Sequence, residues 1–512
     1  MKRVIHMVKL TTGDIDQFLG RYSLGRDSSP LNSTGSQHFL RIKVPGGFLD
    51  SKQLRQIANL TKRYSRDHAE ITNRQSIQLH WIDAQDALEI FSIMDKIGFT
   101  TDMCGQGFKG ARYGDARNIL CCPVSGFEKD ELLNGAPLLR KLSDFFIGNP
   151  DFLDMPKKFK FSISGCGYDC TRAVINDLAF VAVKKNDSIG YTLLAGGGIG
   201  ATLPGPRLAQ PLKVFVETED AFDVAVAAIE IHRDNSSRES KTKARFKWLL
   251  HNWGIEKYLN KLEEKLGKRL EKYDGPIFLK NGGHYGVQPQ SQEGYYYVSV
   301  PFIGGILSSA DMISLADLAD EYGNGELSFT PQQNIIVLNV ERKNELLKRL
   351  TENGFSIDGP QLKWNSMGCA SNFCGKSAAP HAKDVTNDLV EHLQTSFNKE
   401  LLDEAAFRIH VSGCPNNCCA NLIAEIGLKG RLTRDHGELK QNYAILLGGG
   451  FGVETSMGKQ IEDDVPANEL GSKINSILTN YFKKRKTSEN LREFCNRYST
   501  EELKTFMNSV GE

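Results

Sequence analysis

Net charge is almost absent from this chain: 63 Lys and Arg stand against 62 Asp and Glu, a formal +1. That balance gives no footprint for nucleic acid and no polybasic membrane anchor, so any basic cluster that matters must be local. Long apolar runs are also missing. The opening MKRVIHMVKLTTGD has basic residues but no apolar signal stretch, and no later run approaches the length of a membrane span. The expectation is a soluble, cytoplasmic protein that partners neither membrane nor nucleic acid. Cysteine is sparse, with 11 in 512 residues, an odd number and too few for a disulfide scaffold. Neither GGGIG from Gly196 nor GGGFG from Gly448 has the GxGxxG spacing of a dinucleotide site or a Walker lysine.

The few cysteines cluster at 121/122, 166/170, 369/374 and 414/418/419, which suggests thiolate ligands in a reducing compartment. Cys104 and Cys495 stand alone and are expected simply to pack.

The chain also repeats itself. HFLRIKVPGGFLDSKQLRQIANL from His38 is echoed by YYYVSVPFIGGILSSADMISLADLA from Tyr295, each reading as strand, glycine turn and amphipathic helix. EITNRQSIQLHWI then answers LSFTPQQNIIVLNV, ISGCGYDC answers VSGCPNNC, and YTLLAGGGIG answers YAILLGGGFG, in the same order. A long period that occurs only twice indicates tandem duplication of a whole unit rather than a solenoid. The fold class expected is α+β (mixed α/β), with each copy pairing a ferredoxin-like half with a second, sheet-based module about a pseudo-twofold. The units expected are 1–105, 106–250, a helical linker at 251–280, 281–360, and 361–512 with a C-terminal helical tail. The charged stretch from His232 to Asp274 reads as an exposed linking helix pair.

Where the copies diverge, the chemistry should lie. Arg74 is matched by Gln332, Lys160 by Arg408 and Lys158 by Ala406, so the first copy has kept more cationic side chains and the second more cysteines. Lys158 and Lys160 flank Phe159, and on a strand both ammonium groups would project to one side.

In the second copy, Cys369 and Cys374 of MGCASNFCGK precede Cys414 and Cys418 of SGCPNNCC. Two close thiolate pairs suit tetrahedral zinc or an iron-sulfur cubane, and core thiols without a metal are the plain alternative. Setting inside a large α/β repeat favours the cluster over a zinc knuckle. The loops Gly196, Gly197, Gly198 and Gly448, Gly449, Gly450 each follow an apolar strand. They are either tight turns or amide cradles for an anion.

Taken together, ITNRQSIQLHW, GDARN, PKKFKFSISGC, both GGGxG loops, KARFKWLLHNWG, GVQPQSQEG and SGCPNNC cover nearly the whole chain. In this combination the chain resembles the sirohaem- and [4Fe-4S]-dependent nitrite and sulfite reductases. The resemblance implies a duplicated fold holding sirohaem coupled to a [4Fe-4S] cluster. It assigns the cluster to Cys369, Cys374, Cys414 and Cys418, with Cys418 also the axial thiolate of the sirohaem iron. The family's first cysteine pair usually has five residues between its thiols, whereas Cys369 and Cys374 have four. Arg74, Arg117, Lys158 and Lys160 would line the open face of the iron. Cofactor contacts would come from Gln75, Gln78, His80, Asn118, the two glycine loops, Gln288 and Gln290, with His284 a further contact. His80 reads equally well as a satisfied core residue.

The implied activity is assimilatory-type six-electron reduction of sulfite to sulfide. Sulfite-reducing members resemble this chain in carrying lysine at both 158 and 160, whereas ferredoxin-dependent nitrite reductases tend to have asparagine at the second. Nitrite reduction to ammonia is the first alternative, a precorrin-3B synthase-like enzyme the second, and a non-enzymatic electron-transfer or scaffold subunit the third. With no flavin or nicotinamide fingerprint, the reductant must be another protein, a ferredoxin or a flavoprotein, and the lysine-rich 241–272 region is one candidate dock. Cys121, Cys122, Cys166 and Cys170 follow the order of the cluster ligands, so a second cluster is conceivable. Adjacent thiols rarely serve one metal centre, which favours a relic of duplication.

Overall fold

Backbone alternation and paired glycines build the ferredoxin-like halves. In the computed structural model, which describes residues 22, 24–26, 37–102, 114–278, 282–373, 378–379, 381–435 and 438–509, Cys104 and Cys374 lie outside the described residues. The strand His38–Lys43 buries Phe39, Leu40 and Ile42 and pairs antiparallel with Ile77–Ile82. Its counterpart Tyr296–Val300 pairs the same way with Ile335–Val340.

The two halves exchange strands. Phe48–Asp50 of the first copy joins the second sheet beside Glu326–Phe329, and Ile306–Leu307 of the second copy joins the first sheet beside Ala69–Ile71. Each exchanged strand leads into an amphipathic helix, Ser51–Tyr64 or Ser309–Tyr322, and both helices start on a capping box, Asp50 with Gln53 and Ser308 with Asp311. The two helices pack together, with Leu54 and Ile57 of one and Met312 and Leu315 of the other buried in a single core. Each such fully buried side chain contributes roughly 1.5–3 kcal/mol.

The glycine pairs make that exchange possible. Gly47 has φ +83, and a Cβ there would lie 2.1 Å from the Phe329 carbonyl oxygen of the other copy. Gly47→Ala should therefore cost on the order of 3 kcal/mol, from strain and from separation of the exchanged strands. A thermal midpoint several degrees below wild type is expected, and an unchanged midpoint would refute this role for the crossing.

The two remaining modules repeat one sheet plan. In the first, the order is Glu271–Lys272, Gln210–Val216, Ser188–Ala195, Leu178–Lys185, Phe161–Ser164 and Leu120–Cys121. In the second, it is Met367–Gly368, Ile409–Ser412, Ile426–Asp435, Glu438–Leu447 and Lys459–Pro466. Register fixes the equivalence of the cysteines: Ile163 pairs with Cys121 and Val411 with Gly368. The residues that follow, Cys122 and Cys369, are therefore mates, and their amides bond to Ile163 O and Val411 O at 3.2 and 3.1 Å.

The expected linker is not an exposed connector. The helix Phe246–Leu266 runs across the 250/251 boundary and buries Phe246, Leu249, Tyr258 and Leu262 in the core of the first module. On the helix and just after it, Lys265, Lys268 and Arg269 pair with Glu230, Asp220 and Glu263, whereas Lys247 is buried. At the other end of the chain, Leu470–Lys484, Leu491–Arg497 and Thr500–Asn508 pack into the core of the second module, and Cys495 is buried there. Among the described residues, no helix is long and apolar enough to cross a membrane.

Candidate active site

A cleft of about 440 Å³ opens where the two copies meet. The first copy supplies its cations. Arg74 lies in the turn between Ala69–Ile71 and Ile77–Ile82, Arg117 follows Gly114–Ala116, and Lys158 and Lys160 stand on either side of the fully buried Phe159. The second copy supplies Cys369, Cys414, Cys418 and Cys419.

The arginines are held by scaffold bonds. Arg74 donates through Nη1 to Asn176 Oδ1 at 2.8 Å and through Nη2 to the carbonyls of Asn118 and Phe161 at 2.7 and 3.1 Å. Burial, offset in part by Asp102 and Asp177, pushes Arg74 down to about 10, so it stays charged at neutral pH. Arg117 Nη1 lies 2.9 Å from Asp115 Oδ1. Behind it, burial alone would raise Asp102, but Arg117, Lys43 and Arg41 hold its carboxyl below the usual range.

Lys160 owes its placement to a small difference between the copies. Its backbone N–H donates to Asp177 Oδ2 at 3.0 Å, as that of Arg408 does to Glu425 Oε2 at 3.0 Å. In the second copy, Arg408 turns back onto Glu425 and covers the Phe451 ring at 3.8 Å. In the first copy, Arg245 takes the Asp177 carboxylate at 2.9 and 3.0 Å, and the Lys160 side chain lines the cleft. Burial, then repulsion from Arg74, Lys158 and Arg245, sets its pKa well below the ordinary lysine value. Both effects favour release of its proton.

The cysteine turn is fixed against the first copy. Asn73 Nδ2 donates to the Cys418 carbonyl, and Asn417 Nδ2 to Ile199 O at 2.8 Å in the first glycine loop. Cys369 Sγ accepts N–H groups from Gly413 at 3.1 Å and Ser371 at 3.3 Å. Lys247 shapes the loop from below, donating to the carbonyls of Gly198, Gly200 and Gly205 at 3.0, 2.8 and 2.6 Å.

Not every expected contact reaches the cleft. Gln78 and Gly198 do. Gln75 turns into the junction, donating to Gly46 O and Phe329 O at 2.6 and 3.0 Å, and its mate Gln333 donates to Ile71 O and Gly368 O at 2.8 and 2.9 Å. Asn118 ties Val44 O to Arg74 O at 2.7 and 2.9 Å, and His80 is buried 3.2 Å from Glu70. Gly196 lies against Leu250, and Gly197 against the backbone of Asn176 and Val174. Gln288 is exposed, and Gln290 bonds to Asn339. Gly448 and Gly450 face Asn496 and Arg492, and Gly449 faces the carbonyls of Ala424 and Leu422. His284 is buried among the first-copy thiols.

Arg41, Arg172, Arg245 and Lys383 line the cleft without having been singled out from the sequence. Arg172 Nη2 sits between the carbonyls of the mates Asn73 and Pro331, at 2.9 and 2.7 Å, on the pseudo-twofold itself. Its mate is Ala420, so comparing CTR with CCA in the two copies carried the signal.

The strand bearing the lysines depends on His232. Its Nε2 faces the Lys157 carbonyl at 3.0 Å and must carry the proton, and Nδ1 accepts from Ser236 Oγ at 2.7 Å. Burial lowers its pKa to about 4 from 6.5, against the opposing Lys157 bond. A folded pKa below the unfolded one means the unfolded chain binds the extra proton. The contribution is thus complete above about pH 6.5 and is lost as pH falls towards 4, roughly 3 kcal/mol in all. Thermal midpoints across that window should fall less steeply in His232→Gln than in wild type, and equal slopes would refute the assignment.

The lining suits the groups that the sequence resemblance implies. Among the described residues, nine Arg and Lys side chains line the cleft against Glu70 and Asp102, an excess of charge that a carboxylate-rich tetrapyrrole would neutralise. Four cysteines of the second copy meet there, Cys369 among them already accepting two backbone N–H groups, as iron-sulfur ligands do.

Comparisons with known proteins agree with this geometry. The family model described as the nitrite and sulphite reductase 4Fe-4S domain matches residues 113–270 and 364–510. The nitrite/sulfite reductase ferredoxin-like half domain matches 30–97 and 288–353. A protein named sulfite reductase [ferredoxin] from Mycobacterium tuberculosis is 30% identical over 480 residues, covering 91% of this chain and 83% of that protein. An assimilatory ferredoxin-dependent nitrite reductase from Haloferax mediterranei is 31% identical over 496 residues, covering 90% of this chain and 82% of its own. The solved structure of the Mycobacterium tuberculosis NirA protein superimposes with TM-score 0.85 at 28% identity, covering 97% of this chain and 92% of that one.

Proposed function

We propose, from the premise that this chain belongs to the nitrite and sulphite reductase family, that it reduces sulfite to sulfide with electrons from a ferredoxin. The chain is an oxidoreductase whose cofactors are sirohaem and a [4Fe-4S] cluster. When bound, these supply one-electron redox chemistry at iron. Cys369, Cys374, Cys414 and Cys418 hold the cluster, and the cationic rim, Arg172 and Arg245 included, holds the carboxylates of the tetrapyrrole.

The observation that carries the reading is the meeting of Arg74, Arg117, Lys158 and Lys160 with the second-copy Cys369, Cys414 and Cys418 in one cleft. Arg74 and Arg117 hold the substrate oxygens, because rigid guanidinium groups match an oxyanion and need no reorganisation. Lys158 and Lys160 deliver protons to the departing oxygens, each of which leaves as water. An anion entering the cleft favours the charged form of Lys160. Release of the proton lets the amine take up another from solvent.

Lysine at 160 favours sulfite over nitrite. The flavoprotein remains the other electron source, and the lysine-rich 241–272 region is the candidate dock. The test is steady-state turnover of sulfite and of nitrite with reduced ferredoxin, for wild type and Lys160→Asn. Wild type should have the higher kcat/KM for sulfite and the variant a shift towards nitrite. A wild-type preference for nitrite would overturn the proposal.

A further inference from the structure

The first copy keeps a second constellation that the cleft does not use. Cys122 Sγ lies 3.2 Å from His284 Nε2, Cys166 Sγ lies 3.5 Å from Cys170 Sγ, and Cys166 Sγ lies 3.6 Å from His284 Nε2. All four donor atoms fall within 4.8 Å of one another, and all four residues are buried. Cys121, the remaining first-copy thiol, has no part in it and packs in the core of the first module.

We propose that Cys122, Cys166, Cys170 and His284 bind a single structural zinc ion. A tetrahedral ion with Zn–S near 2.3 Å and Zn–N near 2.0–2.1 Å sets its donors roughly 3.5–3.8 Å apart, close to the separations here. A cubane places each ligand on a different iron and spreads them farther. Three thiolates and an imidazole form a closed, soft donor set, which selects zinc and leaves no position for substrate.

The surroundings are built for a metal. His284 Nδ1 lies 2.9 Å from Glu128 Oε2, and Tyr297 OH donates to the same oxygen at 2.9 Å. This carboxylate fixes the tautomer that aims Nε2 at the thiols, the outer-shell arrangement of a ligating histidine. Val124, Ile336 and Leu338 form an apolar cover. The thiols are the register mates of the cluster cysteines, Cys122 of Cys369, Cys166 of Cys414 and Cys170 of Cys418, so one ancestral turn serves two metals. For the fourth ligand, the inter-copy segment supplies His284 in place of a thiol.

The ion would tie three parts of the fold together: the first module, the inter-copy segment at His284, and, through Glu128 and Tyr297, the second ferredoxin-like sheet. Cys170 is followed by Thr171 and Arg172, which line the cleft, so the zinc turn also sets the position of Arg172.

The test is metal analysis of the full-length holoenzyme purified without metal-affinity resin or chelator, together with zinc-edge X-ray absorption. About one zinc per chain is expected, with three sulfur neighbours and one nitrogen. His284→Ala and Cys166→Ser should each lose most of that zinc and keep the iron and acid-labile sulfide of wild type. If either variant fails to fold, the wild-type absorption spectrum decides the matter alone. Zinc-free wild type, a Cys166–Cys170 disulfide by mass, or additional iron and sulfide at these residues would each overturn the proposal. None of these results depends on which anion the enzyme reduces.

Discussion

Lys160→Met should lower sulfite turnover by roughly 100-fold or more, the usual contribution of a positioned proton donor. It should do so while the visible absorption of the holoenzyme stays that of wild type. Methionine preserves the length and the packing beside Phe159 but has no proton to give. The backbone N–H that bonds Asp177 is retained, and Arg245 still satisfies that carboxylate, so the strand should not move. The loss should fall mainly on kcat, because Arg74 and Arg117 still hold the anion. A variant retaining more than about a third of wild-type kcat would remove Lys160 from proton delivery.

The second large effect is expected at Cys369. Cys369→Ser replaces a partly buried thiol that accepts two backbone N–H groups and follows a residue in register with the rest of its module. Iron and acid-labile sulfide should fall by more than the roughly 10–100-fold in affinity that loss of an outer-shell partner costs, because a ligand itself is removed. Sulfite turnover should fall in parallel. The zinc content proposed for the first copy should be unchanged, since Cys122, not Cys369, belongs to that centre. Wild-type iron and sulfide in this variant would show that Cys369 is not a ligand.

Much of this site was legible in the sequence because duplication supplied its own comparison. Where the copies differ at 74, 158 and 160, the cations proved to line one cleft with cysteines of the other copy. What a linear comparison could not show was exchange. Phe48–Asp50 and Ile306–Leu307 each complete the sheet of the opposite copy, and nothing in their local sequence states which sheet they join. For the same reason Gln75 read as a cofactor contact. It sits in a motif beside Arg74, yet its φ of +55 turns it into the junction. The helix Phe246–Leu266 read as exposed because charged residues recur along and after it, although Tyr258 and Leu262 share the face that packs inward. His284 illustrates the converse: a histidine distant in sequence closes a group of three cysteines, and only folding brings it there.

The central claim is that one cleft, built from both copies, carries a sirohaem and one cluster. The most direct test is the visible spectrum of anaerobically purified protein with its iron and acid-labile sulfide content. The account predicts sirohaem bands with about five irons and about four sulfides per chain. A colourless protein, or one with about eight cluster irons, would contradict it.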